Sequence, residues 1–176
     1  MKFFQSYLIN ILKYDFIRKF NYSSIDDITK LKNIVLCFEY RNPNYRQLLN
    51  SLLALELISN SKVKLITSKK PNVSLRIRAG SPVGCKVVLT NRKMLNFLSN
   101  LFLFIIPQDK SFKGVSVNKN NSSINFDFKS LPLFHQLVDH YNILKDLTNL
   151  SIVVNTNSKT FSELIFLIRL LKLKFF

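Results

Sequence analysis

The stretch Leu75-Arg76-Ile77-Arg78-Ala79-Gly80-Ser81-Pro82-Val83-Gly84-Cys85-Lys86-Val87 differs in composition from the rest of the chain. The chain has only 3 glycines and 5 prolines among its 176 residues, and two of those glycines and one proline fall here. Glycine is used where the backbone needs a positive φ or a close approach, and proline fixes φ and lacks an amide donor. Together with the alternating arginines, these residues predict a basic loop of defined shape.

The sequence around this loop predicts three short strands, at residues 62–67, 75–78 and 86–90. A polar segment that contains Pro71 separates the first two strands, and a turn over residues 80–84 precedes the third. We expect Leu75 and Ile77 on one face of the middle strand and Arg76 and Arg78 on the other, because strand side chains alternate.

Apolar spacing and capping patterns predict the remaining elements. Helices are expected at residues 3–20, from Asn42-Pro43 onward with Asn42 as N-cap, at 94–105 before Pro107, and at 160–171 behind a capping box over residues 160–163. The second of these helices is expected to bury a leucine stripe: Leu48, Leu49, Leu52, Leu53 and Leu57. Further strands are expected at residues 34–40, 115–117, 124–128 and 150–155.

Interspersed helices and strands with short connections predict a single α+β domain over residues 1–176. We expect a two-layer sandwich, in which a mainly antiparallel sheet carries helices packed on one face. Within it, residues 1–22 are expected to form an N-terminal helical segment, and residues 67–79 a protruding basic loop.

The charge balance indicates a polyanionic partner. The chain has 26 lysines and arginines against 10 aspartates and glutamates, a formal net charge of +16, and a pI of about 10.0. Such an excess bears on partners and solubility rather than on fold. Nucleic acid is the first candidate, since neutralising its phosphates releases counterions. A negatively charged membrane surface is the competing one.

The chain lacks the residue patterns of an enzyme or a metal site. Its only histidines, His135 and His140, are five residues apart and do not share a helix face. Cys37 and Cys85 are far apart and predict buried thiols rather than a disulfide framework or a zinc site. No phosphate-binding loop or nucleophile elbow is present. We therefore expect no catalysis, no cofactor and no metal.

Apolar segments are too short to predict a membrane span. The longest nearly unbroken apolar run, residues 98–106, falls well short of the roughly 20 residues that a spanning helix needs. An interfacial helix is the membrane alternative that remains.

Several segments resemble large-subunit ribosomal protein five, the uL5 family of bacteria and organelles. Residues 80–87 are similar to the Gly-x-Pro-x-Gly-Cys-Lys-Val turn and strand of that family. Phe20-Asn21-Tyr22 resembles its Phe/Leu-Asn-Tyr, and Phe112-Lys113-Gly114-Val115-Ser116 resembles its Phe-Arg-Gly-Leu-Ser. The order and spacing of these segments agree along almost the whole chain.

The resemblance implies a structural protein of the large ribosomal subunit that binds rRNA in the central protuberance, 5S rRNA where it is present. It implies contact with peptidyl-site tRNA through the residues of the basic loop: Lys69, Lys70, Arg76 and Arg78. The rRNA-binding candidates are Lys32, Asn33, Lys62, Lys64, Lys86, Lys113 and Gly114, and the loop base is expected to be shaped by Gly80, Pro82 and Gly84. Further implied partners are neighbouring large-subunit proteins and a small-subunit head protein, met through an intersubunit bridge.

Two segments depart from the family pattern. Cys37-Phe38-Glu39-Tyr40-Arg41 stands where the family has Asn-Met-Gly-Val-Gly, and residues 122–128 lack the glycines of the family. The first segment belongs to the RNA surface of the family, so three kinds of partner stay open: 5S rRNA, a remodelled rRNA, or extra protein neighbours.

Residue choice favours Asn, Lys, Phe, Ile, Leu and Ser, whose codons are AT-rich, and the chain has no Trp. Together with the resemblance, this predicts a mitochondrial ribosomal protein encoded in the organelle, and the start of the chain shows neither a secretory signal nor an Arg/Ser-rich transit peptide. An AT-rich free-living or parasitic organism is the alternative source. The alternative functions are a generic basic RNA-binding or assembly protein and a peripheral membrane-surface protein.

Overall fold

The computed structural model describes residues 6–40, 44–110, 112, 114–118, 122–129, 131–144, 147–171 and 173. The strands are β1 (Leu31–Glu39), β2 (Lys64–Thr67), β3 (Pro82–Leu89), β4 (Ser116–Asn118), β5 (Ser123–Phe128) and β6 (Leu150–Thr156). The helices are α1 (Leu12–Lys19), α2 (Tyr45–Ser59), α3 (Asn91–Asn100), α4 (Ile106–Gln108), α5 (His135–Val138), α6 (Tyr141–Leu144) and α7 (Phe161–Leu170). π-helical turns over Tyr7–Ile11 and Leu101–Ile105 precede α1 and α4.

The strands form one six-stranded antiparallel sheet in the order β2-β3-β1-β6-β5-β4, with helices packed alongside. β2 pairs with β3, and β4 pairs with β5. In β6 every second residue is buried, as expected of a strand with one face on a core. The predicted α+β sandwich is confirmed.

Contacts divide the chain into two compact units. The first comprises Met1–Ile34, Thr90–Phe126 and Val153–Phe176. Its core contains Phe16 of α1, Leu98 of α3, Phe126 of β5 and Ile168 of α7, each with at most 1% of its surface exposed. Thr160 begins α7 as predicted, because its hydroxyl oxygen accepts a hydrogen bond from the Glu163 amide.

The second unit comprises Val35–Leu89 and Asp127–Ile152. Leu36 and Phe38 of β1, Leu55 of α2 and Cys85 of β3 are fully buried in its core. The Asn50 amide on α2 donates to the Ile143 carbonyl on α6 over 2.7 Å and thereby ties the two helices together. Both cysteines of the chain are buried and free, as the sequence predicted.

The predicted cap of α2 is wrong, and its predicted buried stripe is right for Leu48 but wrong for Leu49 and Leu53. The helix begins after Asn44, whose backbone amide donates to the Gln47 side chain, and Asn42 and Pro43 lie outside the described residues. Leu49 and Leu53 are 65% and 42% exposed, whereas the buried face includes Leu48, Ser51, Leu55 and Ile58. Consecutive leucines are about 100° apart around a helix, so only one member of each pair points to the core.

The predicted end of the helix at Pro107 is also wrong. Helical backbone runs without a break from Asn91 through the π-helical turn to Gln108, so the helix ends one residue after Pro107. Pro107 lies in the last turn, so little helix follows the amide hydrogen bond that proline cannot make.

Candidate nucleic-acid interface

The strands that carry the basic loop place two lysines directly opposite each other. In the antiparallel pairing of β2 with β3, Lys64 is the partner of Lys86, and Leu65 is the partner of Cys85. Partners in register point to the same face of a sheet, and like charges directly opposite each other destabilise it. Both lysines are exposed, so this pair offers two adjacent positive charges to an anion in solvent.

The loop between β2 and β3 is an ordered extension of the hairpin. At its base, Ser68 and the 80–81 segment exchange two backbone hydrogen bonds, from the Ser68 amide to the Ser81 carbonyl (2.9 Å) and from the Gly80 amide to the Ser68 carbonyl (2.8 Å). Nearer the tip, Asn72 and Ile77 exchange two more, of 2.9 and 3.0 Å. These four backbone hydrogen bonds hold the loop in shape.

A tight turn closes the tip, where the sequence predicted an alternating strand. The Arg76 amide donates to the Val73 carbonyl over 3.1 Å, and the backbone of Arg76 is left-handed, with φ of 53°. The Asn72 side chain supports the turn by accepting from the Ser74 hydroxyl (2.6 Å) and the Leu75 amide (3.3 Å). The predicted strand over residues 75–78 is wrong, because the bridge between Asn72 and Ile77 leaves the intervening residues to reverse the chain.

The structure brings the four predicted loop cations together on this extension. They are Lys69, Lys70, Arg76 and Arg78, and all four are exposed. Within the described residues, none of them lies within 4.0 Å of a carboxylate, since the ion pairs found are those of Lys30 with Asp26 and Lys159 with Asp27. Their charges are therefore available to an external anion.

The three predicted loop-shaping residues have different structural tasks. Gly80 supplies a left-handed backbone with φ of 82° at the loop base. Pro82 is the first residue of β3 and pairs with Thr67, where the register shifts. Gly84 lies within β3 rather than in the predicted turn, and a β-carbon there would overlap the Phe38 carbonyl oxygen of β1. Gly84 thus serves the close approach of two strands.

The remaining rRNA candidates belong to both units, with Lys62 in the second unit and Lys32, Asn33 and Gly114 in the first. Lys62 is exposed just before β2. Lys32 and Asn33 are consecutive on β1 and so point to opposite faces. Asn33 accepts a hydrogen bond of 2.7 Å from the Asn155 side chain on β6. Gly114 has a φ of 131°, and Lys113 lies outside the described residues.

The carboxylates of Glu39 and Asp127 and the ammonium group of Lys86 all influence Cys37 on β1. Burial raises the pKa of the Cys37 thiol to about 11, the carboxylates of Glu39 and Asp127 add to the rise, and the charge of Lys86 acts against it. The Cys37 thiol lies 3.8 Å from the Glu39 carboxylate. Two carboxylates and one ammonium group therefore act on the same buried thiol.

The histidines and cysteines do not assemble a reactive site. His135 and His140 are exposed, and His140 lies beyond the end of α5. Burial raises the pKa of Cys85, so neither cysteine is an activated thiol. Among the residues that the structure describes, no three His, Cys, Asp or Glu side chains are grouped as metal ligands would be. None of the helices described is both long enough and apolar enough to cross a membrane.

One group of cationic and aromatic side chains escaped the sequence analysis. Lys19 and Phe20, at the end of α1, line a small cavity together with Phe166 and Arg169 of α7. These residues come from opposite ends of the chain, so no local pattern groups them. The composition of the two helices gives no clear signal either, since α1 contains one phenylalanine and α7 contains one cation, Arg169.

Comparison with known proteins yields one family. The family model that describes the C-terminus of ribosomal protein five, the uL5 family, matches residues 82–175. The chain is 32% identical over 158 residues to the large ribosomal subunit protein uL5m of Reclinomonas americana. The alignment covers 87% of this chain and 86% of the relative. It is 30% identical over 162 residues to the uL5 proteins of Malacoplasma penetrans (90% and 86% covered) and Clostridium acetobutylicum (89% and 88% covered).

Proposed function

Because the chain belongs to the uL5 family of large ribosomal subunit proteins, we propose that it is a structural constituent of that subunit. It binds rRNA in the central protuberance, 5S rRNA where that molecule is present, and it contacts peptidyl-site tRNA through the basic loop of residues 67–79. The family is structural rather than catalytic, and this chain performs no catalysis of its own.

The observation that carries the proposal is the ordered loop with its four unpaired cations. Backbone hydrogen bonds at Ser68 and between Asn72 and Ile77 hold the loop before any partner binds. A preformed loop loses little conformational entropy on binding, so its charges act at a low ordering cost. Arginine forks onto phosphate oxygens and lysine acts as a point charge, which suits contact with an RNA backbone.

Lys64 and Lys86 extend this basic surface from the loop onto the hairpin strands, because they are directly paired. A phosphate near the pair is attracted by both ammonium groups. It also relieves the repulsion between them, so both effects favour phosphate binding at this position. In the same unit, Glu39 stands where the resembled family has glycine, and its carboxylate weakens phosphate binding near Cys37. We infer that rRNA meets β2 and β3 more strongly than the central part of β1.

The remaining partners follow from the family. They are neighbouring large-subunit proteins and a protein of the small-subunit head, met through an intersubunit bridge. The proposed location is the mitochondrial ribosome, with a gene in the organelle. Similarity to the uL5m protein of Reclinomonas americana and a residue choice favouring AT-rich codons support this location.

The test is charge reversal of the loop in assembled ribosomes. A variant with Lys69, Lys70, Arg76 and Arg78 all changed to Glu is expected to enter the large subunit but to retain peptidyl-site tRNA poorly. The matched control reverses four exposed cations elsewhere: Arg46, Arg92, Lys110 and Lys129. Sucrose-gradient sedimentation measures incorporation, and filter retention of labelled tRNA measures the contact. Equal tRNA retention by the two variants would refute the loop contact.

The alternative functions give different outcomes. An assembly protein would be found on precursor particles and absent from translating ribosomes. A membrane-surface protein would float with anionic liposomes after RNase treatment. The proposed function predicts instead that RNase or high salt releases the chain, because phosphate contacts weaken steeply with salt.

A further inference from the structure

A small cavity with aromatic and cationic walls lies in the first unit. It has a volume of about 210 Å³ and is lined by Lys19, Phe20, Ser162, Ile165, Phe166 and Arg169; we call it the aromatic pocket. Pockets for drug-sized ligands occupy about 300–1,000 Å³, so this one suits a single planar ring system. Among the described residues that line it, none carries a carboxylate.

The two rings of the aromatic pocket are held at a fixed angle. The Phe20 and Phe166 centroids are 5.6 Å apart, with the ring planes at 73°. Phe16, which is buried, packs edge-on against Phe166 at 5.2 Å and stacks on Phe20 at 6.1 Å. Both half-buried rings of the pocket are therefore fixed from behind by the core.

The two cationic side chains of the aromatic pocket are exposed. The Lys19 ammonium lies 4.0 Å from the Phe166 ring centroid, so this ring face meets a cation rather than packed protein. Lys19 and Arg169 are both exposed, and Arg169 stands in the last turn of α7. Arg169 there also complements the helix dipole, which accounts for its position but not for the rings beside it.

We propose that the aromatic pocket binds one unstacked nucleotide of rRNA. The base stacks on the face of Phe166, with the edge of Phe20 as a side wall. The Lys19 side chain, which has four rotatable carbons, leaves the ring and meets the phosphate of the same nucleotide together with Arg169. Aromatic rings and adjacent cations are the features by which proteins capture splayed-out RNA bases.

An acidic peptide is the competing ligand, because it would also meet Lys19 and Arg169. The half-buried Phe166 ring favours the nucleotide, since a base has a flat face that stacks on phenylalanine and a carboxylate does not. The inference rests on the proposed function in that the chain must bind RNA. It uses residues of the first unit, whereas the basic loop belongs to the second unit.

The test compares two single-stranded probes on the full chain: a short oligoadenylate, and an abasic ribose-phosphate chain of the same length. The unaltered protein is expected to bind oligoadenylate about fivefold more tightly or better, and Phe166→Leu to abolish that preference. Arg169→Gln, at an exposed position, is expected to lower the affinity for both probes by the same factor. Arg92→Gln is the charge-matched control and leaves the preference intact. Quenching of 2-aminopurine placed in the oligoadenylate reports stacking directly.

The outcomes separate this inference from the proposed function. Equal affinity for the two probes, with no quenching, overturns the nucleotide pocket whatever the loop does. Competition by polyglutamate as effective as that by oligoadenylate assigns the pocket to an acidic protein and also overturns the inference. If Phe166→Leu unfolds, Arg169→Gln decides the question instead. Its affinity for both probes must fall further than that of Arg92→Gln, and equal affinities of these two variants overturn the pocket. Failure of the proposed function appears separately, as normal tRNA retention by the loop-reversal variant.

Discussion

Gly84 on β3 lies so close to the Phe38 carbonyl of β1 that no side chain fits between them. Next to this contact, the Tyr40 amide donates to the Val83 carbonyl over 2.9 Å, so the two strands are held together at this point. Gly84 is one of only 3 glycines in 176 residues. It lies in the hairpin that carries the basic loop, where adjacent strands approach closely.

The first prediction concerns this contact. We expect Gly84→Ala to lower the free energy of unfolding by about 1–3 kcal/mol, because the added methyl group meets backbone that must shift. Urea denaturation measures the loss. Val88→Ala, at a half-exposed position of the same strand, is the control and should cost less than about 1 kcal/mol. Equal losses for the two variants would contradict the close approach.

The second prediction separates backbone strain from charge at Arg76, whose φ is 53°. Asparagine adopts the left-handed region readily, whereas valine does not. Arg76→Asn should therefore keep the free energy of unfolding within about 0.5 kcal/mol, and Arg76→Val should lose about 1–2 kcal/mol. Both variants should reduce the salt dependence of RNA binding by the same amount, since each removes one cation. If the two variants unfold at the same urea concentration, the tip turn is not as described.

The third prediction concerns the Cys37 thiol, whose pKa is raised to about 11, mainly by burial and then by the Glu39 carboxylate. At pH 8 the folded protein should show no rapidly reacting thiol, and in denaturant both Cys37 and Cys85 should react. Reaction with an aromatic disulfide reagent measures the rate of thiol modification in the folded and in the denatured protein. A fast thiol in the folded protein would show that one of the two is not buried.

The same shift has a consequence for stability. The folded state favours the neutral thiol, so its contribution to stability is fully present below the unfolded pKa of about 8.5. That contribution is lost as pH rises from there through about 11. Cys37→Ala should therefore flatten the alkaline fall in the free energy of unfolding over this range. An unchanged alkaline profile would count against the raised pKa.

The fourth prediction concerns Glu163, a buried carboxylate in the first turn of α7. It accepts hydrogen bonds from the Thr29 hydroxyl (3.0 Å) and the Lys159 amide (3.1 Å). Glu163→Ala leaves both donors without this acceptor and should cost about 1–3 kcal/mol in chemical denaturation. Glu163→Gln retains a carbonyl oxygen that can accept a hydrogen bond, so it should lower the free energy of unfolding by less than Glu163→Ala does. Loss of the same free energy by the two variants would show that the hydrogen bonds do not matter.

Local patterns predicted much of the fold and part of the site. The alternation of β6 and the pattern of β1 predicted strands, and Thr160 predicted the start of α7, because these signals act between residues near in sequence. The loop cations were found for the same reason. The buried face of α2 was assigned wrongly, since leucines recur all around that helix and only its partners decide which ones are covered.

The sequence by itself determined the positive charge, the interspersed strands and helices, and the position of a basic hairpin loop, because these depend on composition and neighbouring residues. Only the tertiary structure decided why Gly84 is glycine and how Arg76 reverses the chain at the loop tip. The contact of the Lys19 ammonium with the Phe166 ring is likewise seen only in the tertiary structure. The Gly84 contact and the Lys19–Phe166 contact join segments that are distant in sequence, so no local pattern predicts them. The Arg76 turn is local, but alternating apolar and basic residues are also typical of a strand, and only the hydrogen bonds of the folded loop decide between the two.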